Sequence, residues 1–215
     1  MIMKILTFPD PRLREVSKPV EKFGPELQKL ADDMIETMYD AHGIGLAAPQ
    51  VGELIRMVVI DTRPRDDKGR RYKDEEMSEM EKAVVQPLIL INPEIVNGEG
   101  KTTFDEGCLS VPGFFETVER NLVVEIKAFD VNGKEFRVKS DGLLGICMQH
   151  ELDHLEGTLF IDHLSFVKSN KIKSQIKKHG YPPRKTESSE NENGETSEGE
   201  SDDKTKSSDS EKLEV

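Results

Sequence analysis

The stretch Gln149-His150-Glu151-Leu152-Asp153-His154, set between Leu143 and Gly157, limits what this chain can fold into more than any other. Leu143, Leu144, Ile146, Cys147, Leu152 and Leu155 recur at helical intervals, and Gly157 suits a C-terminal stop. On a helix, His150 and His154 lie on one face about 6 Å apart along the axis, so both imidazoles reach one metal ion. Glu151 is turned about 100° from His150, beside the ligand face and within reach of a water on the metal. A helix whose histidines only cap or solvate its surface would show the same letters. The apolar flanks favour a buried helix, where an acidic side chain needs a partner or a task.

A chain of 215 residues can bury a true core as one sizeable domain with an appendage. Its formal charge of −12 is uneven: Lys185 to Val215 holds 11 acidic residues and 4 lysines, a net of −7, which leaves −5 for residues 1–184. The acidity describes the tail. Cys108 and Cys147 make no disulfide framework, and no signal-peptide pattern opens the sequence. No run approaches the roughly 20 apolar residues of a membrane span. A cytoplasmic, reducing setting is expected, without membrane or DNA contact, and both thiols stay available for chemistry.

Residues 4–24 read as extended and turn structure broken by Pro9, Pro11 and Pro19. Pro25 opens a helix whose apolar face is Leu27, Leu30, Ala31, Met34, Ile35 and Met38, with Gly43 as its expected stop. Gly43-Ile44-Gly45-Leu46-Ala47-Ala48-Pro49-Gln50 follows. Its glycines permit either a tight turn after the helix or a close approach that a β-carbon would block. Met57–Ile60 and Leu88–Ile91 read as buried strands. The charged stretch 62–82 between them reads as a solvated insertion, with helical character from Asp74 to Lys82.

Leu122 to Asp130 and Glu135 to Val138 form a hairpin around Asn132-Gly133, and Ser140 or Asp141 can cap the helix that follows. The reading is an α+β domain over residues 1–165, with antiparallel strands packed around a central metal-binding helix after an N-terminal helix. A basic C-terminal helix over 166–180 carries Lys168, Lys171, Lys173, Lys177 and Lys178 and no acidic residue. Residues 181–215 are expected to be an acidic disordered tail.

Two histidines do not complete a metal site. Downstream, His163 lacks the glycine-spaced pattern of a zinc protease. Upstream, Cys108 sits in a glycine-flanked loop entering a strand, where it can face the helix. A thiolate with two imidazoles suits Fe(II), Zn(II), Co(II) or Ni(II) and leaves a position open for water. A small buried thiol is the plainer reading of Cys108, and Cys147, among Leu143, Leu144 and Ile146, fits that plainer reading well.

Three stretches together, Gly43–Gln50, Glu106-Gly107-Cys108-Leu109-Ser110 and Gln149–Gly157, resemble the three signature motifs of peptide deformylases, in that order. The resemblance covers roughly residues 3–170. It implies removal of the formyl group from N-formylmethionyl nascent peptides by a metal-bound hydroxide. It also implies that Cys108, His150 and His154 hold one divalent metal, most often Fe(II) in that family. Glu151 would be the acid and base, Gln50 and the Leu109 N–H the oxyanion donors, and Gly45 a backbone contact. Substrate would meet Gly107 and a methionine pocket of Ile44, Leu143, Ile146, Cys147 and His150. Some family members carry an arginine shortly after the cysteine motif; here Gly113-Phe114-Phe115-Glu116 stands there, so recognition beyond methionine differs. The basic C-terminal helix resembles the segment by which some deformylases dock on ribosomes. A metal-stabilised binding module would need neither Glu151 nor Gln50, and a peptidase cutting internal amides would not use an upstream cysteine.

Overall fold

The computed structural model describes residues 1–66, 72 and 75–181. Helix α1 (Pro25–Asp40) starts with Pro25 in its first turn, as the sequence predicts, and buries Leu27, Ala31, Met34 and Met38. Its end differs from the expectation. His42, not Gly43, takes the left-handed conformation at φ 59°, and the Gly43 N–H closes onto the Met38 carbonyl at 2.9 Å. Gly43 answers to space instead: a β-carbon there would stand 2.7 Å from Leu109 Cδ1.

Strands β1 (Gly45–Ala47), β2 (Met57–Ile60) and β3 (Leu88–Glu99) follow, with the short helix α2 (Glu79–Ala83) before β3. Then come β4 (Thr102–Glu106), β5 (Glu116–Arg120), β6 (Val123–Phe129), β7 (Glu135–Ser140), α3 (Gly142–Leu155) and α4 (Phe166–His179). Five strands form an antiparallel sheet in the order β1-β2-β3-β6-β7, while β4 and β5 pair separately. The α+β reading holds.

The β2 run Met57-Val58-Val59-Ile60 is buried throughout because helices cover both sheet faces. Val58 and Ile60 pack with Leu144, Cys147, Met148 and Leu152 of α3, whereas Met57 and Val59 pack with Ala31, Met34 and Met38 of α1. An antiparallel strand with both faces covered loses its polar alternation, which is why it reads as a continuous apolar run. Helix α3 is thus enclosed on nearly all sides, with residues 144–152 all buried. At the β6–β7 turn the expected hairpin forms, with Gly133 at φ 80° and its N–H on the Asp130 carbonyl.

The stretch read as a solvated insertion is anchored at its C-terminal end. Helix α2 starts at Glu79 with Ser78 as its N-cap, so Glu75 to Met77 of the predicted helical stretch are not helical, and Glu81 is buried. Glu81 Oε1 accepts from the Leu144 N–H at 3.0 Å, at the first turn of α3. The expected caps of α3 do not serve: Asp141 occupies the N-cap position but makes no side-chain cap bond, its carboxylate being turned to the Ser78 hydroxyl. A carboxylate from a distant segment meets the exposed amides and the positive end of the dipole instead. Residues 182–215, which hold nearly all of the expected acidic tail, lie outside the described residues, as do 67–71 and 73–74 of the insertion. No helix among the described residues is long and apolar enough to cross a membrane.

Candidate metal centre and its surroundings

Cys108, His150 and His154 meet. Each is buried, and one ligand atom from each lies within 4.8 Å of the others. The histidines come from successive turns of α3, with ring centroids 5.2 Å apart at 69°, so their edges converge on one side. Phe160 stacks behind His150 at 6.3 Å and 24°. Cys108 lies in the loop that leaves β4 and enters β5, and its Sγ lies 3.3 Å from His154 Nε2.

The protonation pattern follows from the partners. His150 Nδ1 lies 2.8 Å from Glu106 Oε2. Burial alone would raise the Glu106 carboxyl, but Arg120 and His150 outweigh it and hold it at about 2. A carboxylate that acidic only accepts, so His150 Nδ1 carries a proton and only Nε2 is left for another partner. Nε2 is buried and has no hydrogen-bond partner among the described residues. Burial pushes His154 well below the ordinary imidazole range, so its ring is neutral. Two imidazoles and a thiol in a buried pocket, with His150 Nε2 and His154 Nδ1 both lacking a hydrogen-bond partner among the described residues, form a donor set that fits a divalent transition metal.

Glu151 is fully buried, and neither carboxyl oxygen has a hydrogen-bond partner among the described residues. Burial first, then the charges of Glu106 and Asp153, push its carboxyl well above the usual range. Its neighbour explains the second glycine of the Gly43–Gln50 stretch. A β-carbon on Gly45 would collide with Glu151 Oε1 and stand 2.7 Å from Cys147 Sγ. Of the two readings for that stretch, close approach is the one realised at Gly45.

Gln50 is buried, and its Oε1 accepts from the Ala47 N–H at 2.7 Å. That bond fixes the amide orientation, so Nε2 points at Cys108 Sγ (3.7 Å) and the Ser110 hydroxyl (3.1 Å). Leu109, next to Cys108, is buried, as are Gly107 and Ile44. A β-carbon on Gly107 would meet the Phe115 ring at 2.5 Å, so the aromatic at the departure from the arginine pattern lies directly over Gly107. Ile44 and Cys147 share one core cluster, with Leu143 packed against it, and Cys147 Sγ lies 3.7 Å from the Ile44 carbonyl. Ile146 is buried on the same helix.

The sequence reading missed the groups behind the donors. Arg120 holds Glu106 through two hydrogen bonds and reaches Asp153 at 2.7 Å, and Asp153 lies 2.6 Å from His163 Nε2. A signal for Arg120 was present. On β5 it shares the inward face with Val118, and an arginine at an inward strand position requires a buried acid. His163, weighed as a metal ligand, serves this network instead.

The polypeptide deformylase family model matches residues 2–170. The chain is 50% identical over 178 residues to the peptide deformylase of Cellvibrio japonicus, covering 82% of this chain and 95% of that one. It is 48% identical over 177 residues to that of Alkalilimnicola ehrlichii, covering 82% and 90%. A crystal structure of a peptide deformylase from Legionella pneumophila superposes with a TM-score of 0.69 at 45% identity, covering 83% of this chain and 95% of that chain.

Proposed function

The chain belongs to the polypeptide deformylase family, and from that premise we propose how its own residues remove the N-terminal formyl group of nascent peptides. The observation that carries the reading is the meeting of Cys108, His150 and His154 beside a buried Glu151 that has no hydrogen-bond partner among the described residues. Cys108, His150 and His154 would hold a divalent metal, which would supply an acidified water as nucleophile and a Lewis acid for the formyl oxygen. Fe(II) is the native ion in this proposal, with Zn(II), Ni(II) or Co(II) able to occupy the same donors.

Everything else falls to side chains. Glu151 accepts the proton of the attacking water and returns it to the departing amine as the C–N bond breaks, leaving formate and a free amino terminus. That proton transfer is a role worth about 10²–10⁴ in rate. Gln50 Nε2 and the Leu109 N–H donate to the formyl oxygen as negative charge develops there. Gly45 and Gly107 let the backbone approach, and Ile44, Leu143, Ile146 and Cys147 receive the methionine side chain next to His150. Glu106 keeps His150 in the tautomer that leaves Nε2 for the metal.

The reaction belongs where peptides emerge from ribosomes, so a cytoplasmic setting accompanies this reading, and α4 offers a basic surface for contact with ribosomal RNA. Replacing Glu151 by Gln should leave metal content intact while turnover of formyl-Met-Ala-Ser drops at least 10²-fold. Undiminished turnover by E151Q rejects the role. Chelation should abolish the activity of the unmodified chain, and added metal should restore it.

A further inference from the structure

We propose that Tyr181 is a positioning residue for the loop that carries Cys108, latching it from the far end of α4. Tyr181 lies beyond residue 170, where the family match ends. The inference rests on the metal-site reading above and adds to it a residue just past the end of α4.

Helix α4 stops at His179, and Gly180 (φ 71°) turns the chain while its N–H stays on the Ile176 carbonyl at 2.9 Å. The turn sends Tyr181 back into the cluster formed by Cys108, Val111, Phe160, Ile172 and Ile176, next to Phe8 and Phe114. The phenol donates to the Phe8 carbonyl, and its oxygen also lies 3.5 Å from the Ser110 carbonyl. Phe8 donates its own N–H to that Ser110 carbonyl at 2.9 Å. The Tyr181 ring meets Phe114 edge-on, with centroids 6.3 Å apart at 72°. Tyr181 therefore holds Phe114 of the loop directly through its ring, and Ser110 through Phe8.

Ser110 is where this matters for the site. Its N–H donates to Cys108 Sγ at 3.3 Å, and its hydroxyl accepts from Gln50 Nε2 at 3.1 Å. A displaced Ser110 withdraws a donor from the sulfur and frees the Gln50 amide to turn. Outer groups of this kind typically govern metal affinity by about 10–100-fold. Removing only the phenol oxygen should then loosen the metal while leaving the apolar cluster filled.

The test uses the full chain loaded with Ni(II) and follows release to a chromophoric chelator. Y181F should release metal about tenfold faster than the unmodified protein, with thermal midpoints closely matched. In metal-free protein, Cys108 should be alkylated faster in Y181F. I176V, which trims the same cluster without touching the phenol, should lower the midpoint and leave release unchanged. Release by Y181F within twofold of the unmodified chain overturns the proposal, and so does equal acceleration by I176V, which would mark general loosening. An unmodified chain that retains no Ni(II) would instead reject the metal-site reading itself.

Discussion

Arg120 grips Glu106 through two parallel hydrogen bonds, Nε to Oε1 at 2.6 Å and Nη2 to Oε2 at 2.8 Å, with both side chains buried. The pair does two things at once. It neutralises charge in a dry interior, and it presents Glu106 Oε2 to His150 Nδ1 in a fixed orientation. Replacing Arg120 by Leu strands the Glu106 charge, and breaking a buried pair from one side typically costs about 3–5 kcal/mol. Urea unfolding of R120L should show that loss, and R120L/E106L should recover much of it. The double variant should still bind metal about 10–100-fold more weakly, because nothing then orients His150. Additive losses in the double variant would contradict the pairing.

The buried Glu81 carboxylate caps α3 from outside the helix, through the Leu144 N–H. E81A should destabilise the fold by about 1–2 kcal/mol, the typical cost of a lost N-cap. The change should appear as a shifted urea midpoint with an unaltered slope. A midpoint equal to that of the unmodified protein would mean that Asp141 turns in to cap the helix.

Gly45 faces Glu151 and Cys147 with no room for a methyl group. G45A should force the Glu151 carboxyl out of place, so kcat should fall by about 10²-fold, as for loss of the proton shuttle. Metal content should be retained, and stability should fall by only the roughly 1–3 kcal/mol of an overpacked site. Near-normal kcat in G45A would mean that the carboxyl has slack.

What could be read beforehand, and what could not, divides along physical lines. The buried faces of α1 and α3 were legible because periodicity records burial; the shared face of His150 and His154 was legible from their spacing, whereas Cys108 was singled out as the third ligand only by the family resemblance. Glu81 capping α3 and His163 joining Asp153 were not legible. Each is a contact across more than one element whose residues have ordinary solvated uses elsewhere. His42 in place of a glycine at the end of α1 was missed because the left-handed position tolerates several residues, while Gly43 answers to a neighbour from another segment. Turn chemistry is local, and close approach is not.

Asp162 ties three segments together. It accepts from Arg14, from the Leu159 N–H at 2.9 Å and from Lys173 at 3.2 Å. Burial works against its charge, but Arg14 and those further donors outweigh burial and hold its carboxyl below the ordinary 3.8. A carboxyl depressed in the folded state binds protons less readily than in the unfolded chain. Its stabilisation is therefore fully present above the ordinary value and is lost as pH falls through the folded one. D162N should be less stable than the unmodified chain near neutrality, with the gap narrowing as pH drops below about 4. A gap that stays constant or widens on acidification would remove Asp162 from the pH response.

On α4, Lys168 is engaged by Glu116 and Lys173 by Asp162, so Lys171, Lys177 and Lys178 carry the outward charge of the helix. Phe166 and Val167 are 82% and 76% exposed at its start, an arrangement more costly in water than a polar turn would be. Cations beside exposed apolar side chains fit a surface of phosphates and stacked bases. Replacing Lys171, Lys177 and Lys178 by Ala should weaken co-sedimentation with ribosomes at low salt and flatten its salt dependence, since each phosphate contact contributes about one released counterion. Turnover of a free formyl-Met-Ala-Ser peptide should be unchanged, because these lysines lie on the opposite side of α4 from Ile172 and Ile176, which pack toward Cys108. Co-sedimentation that does not respond to the triple change would leave α4 a solvated helix with no docking role.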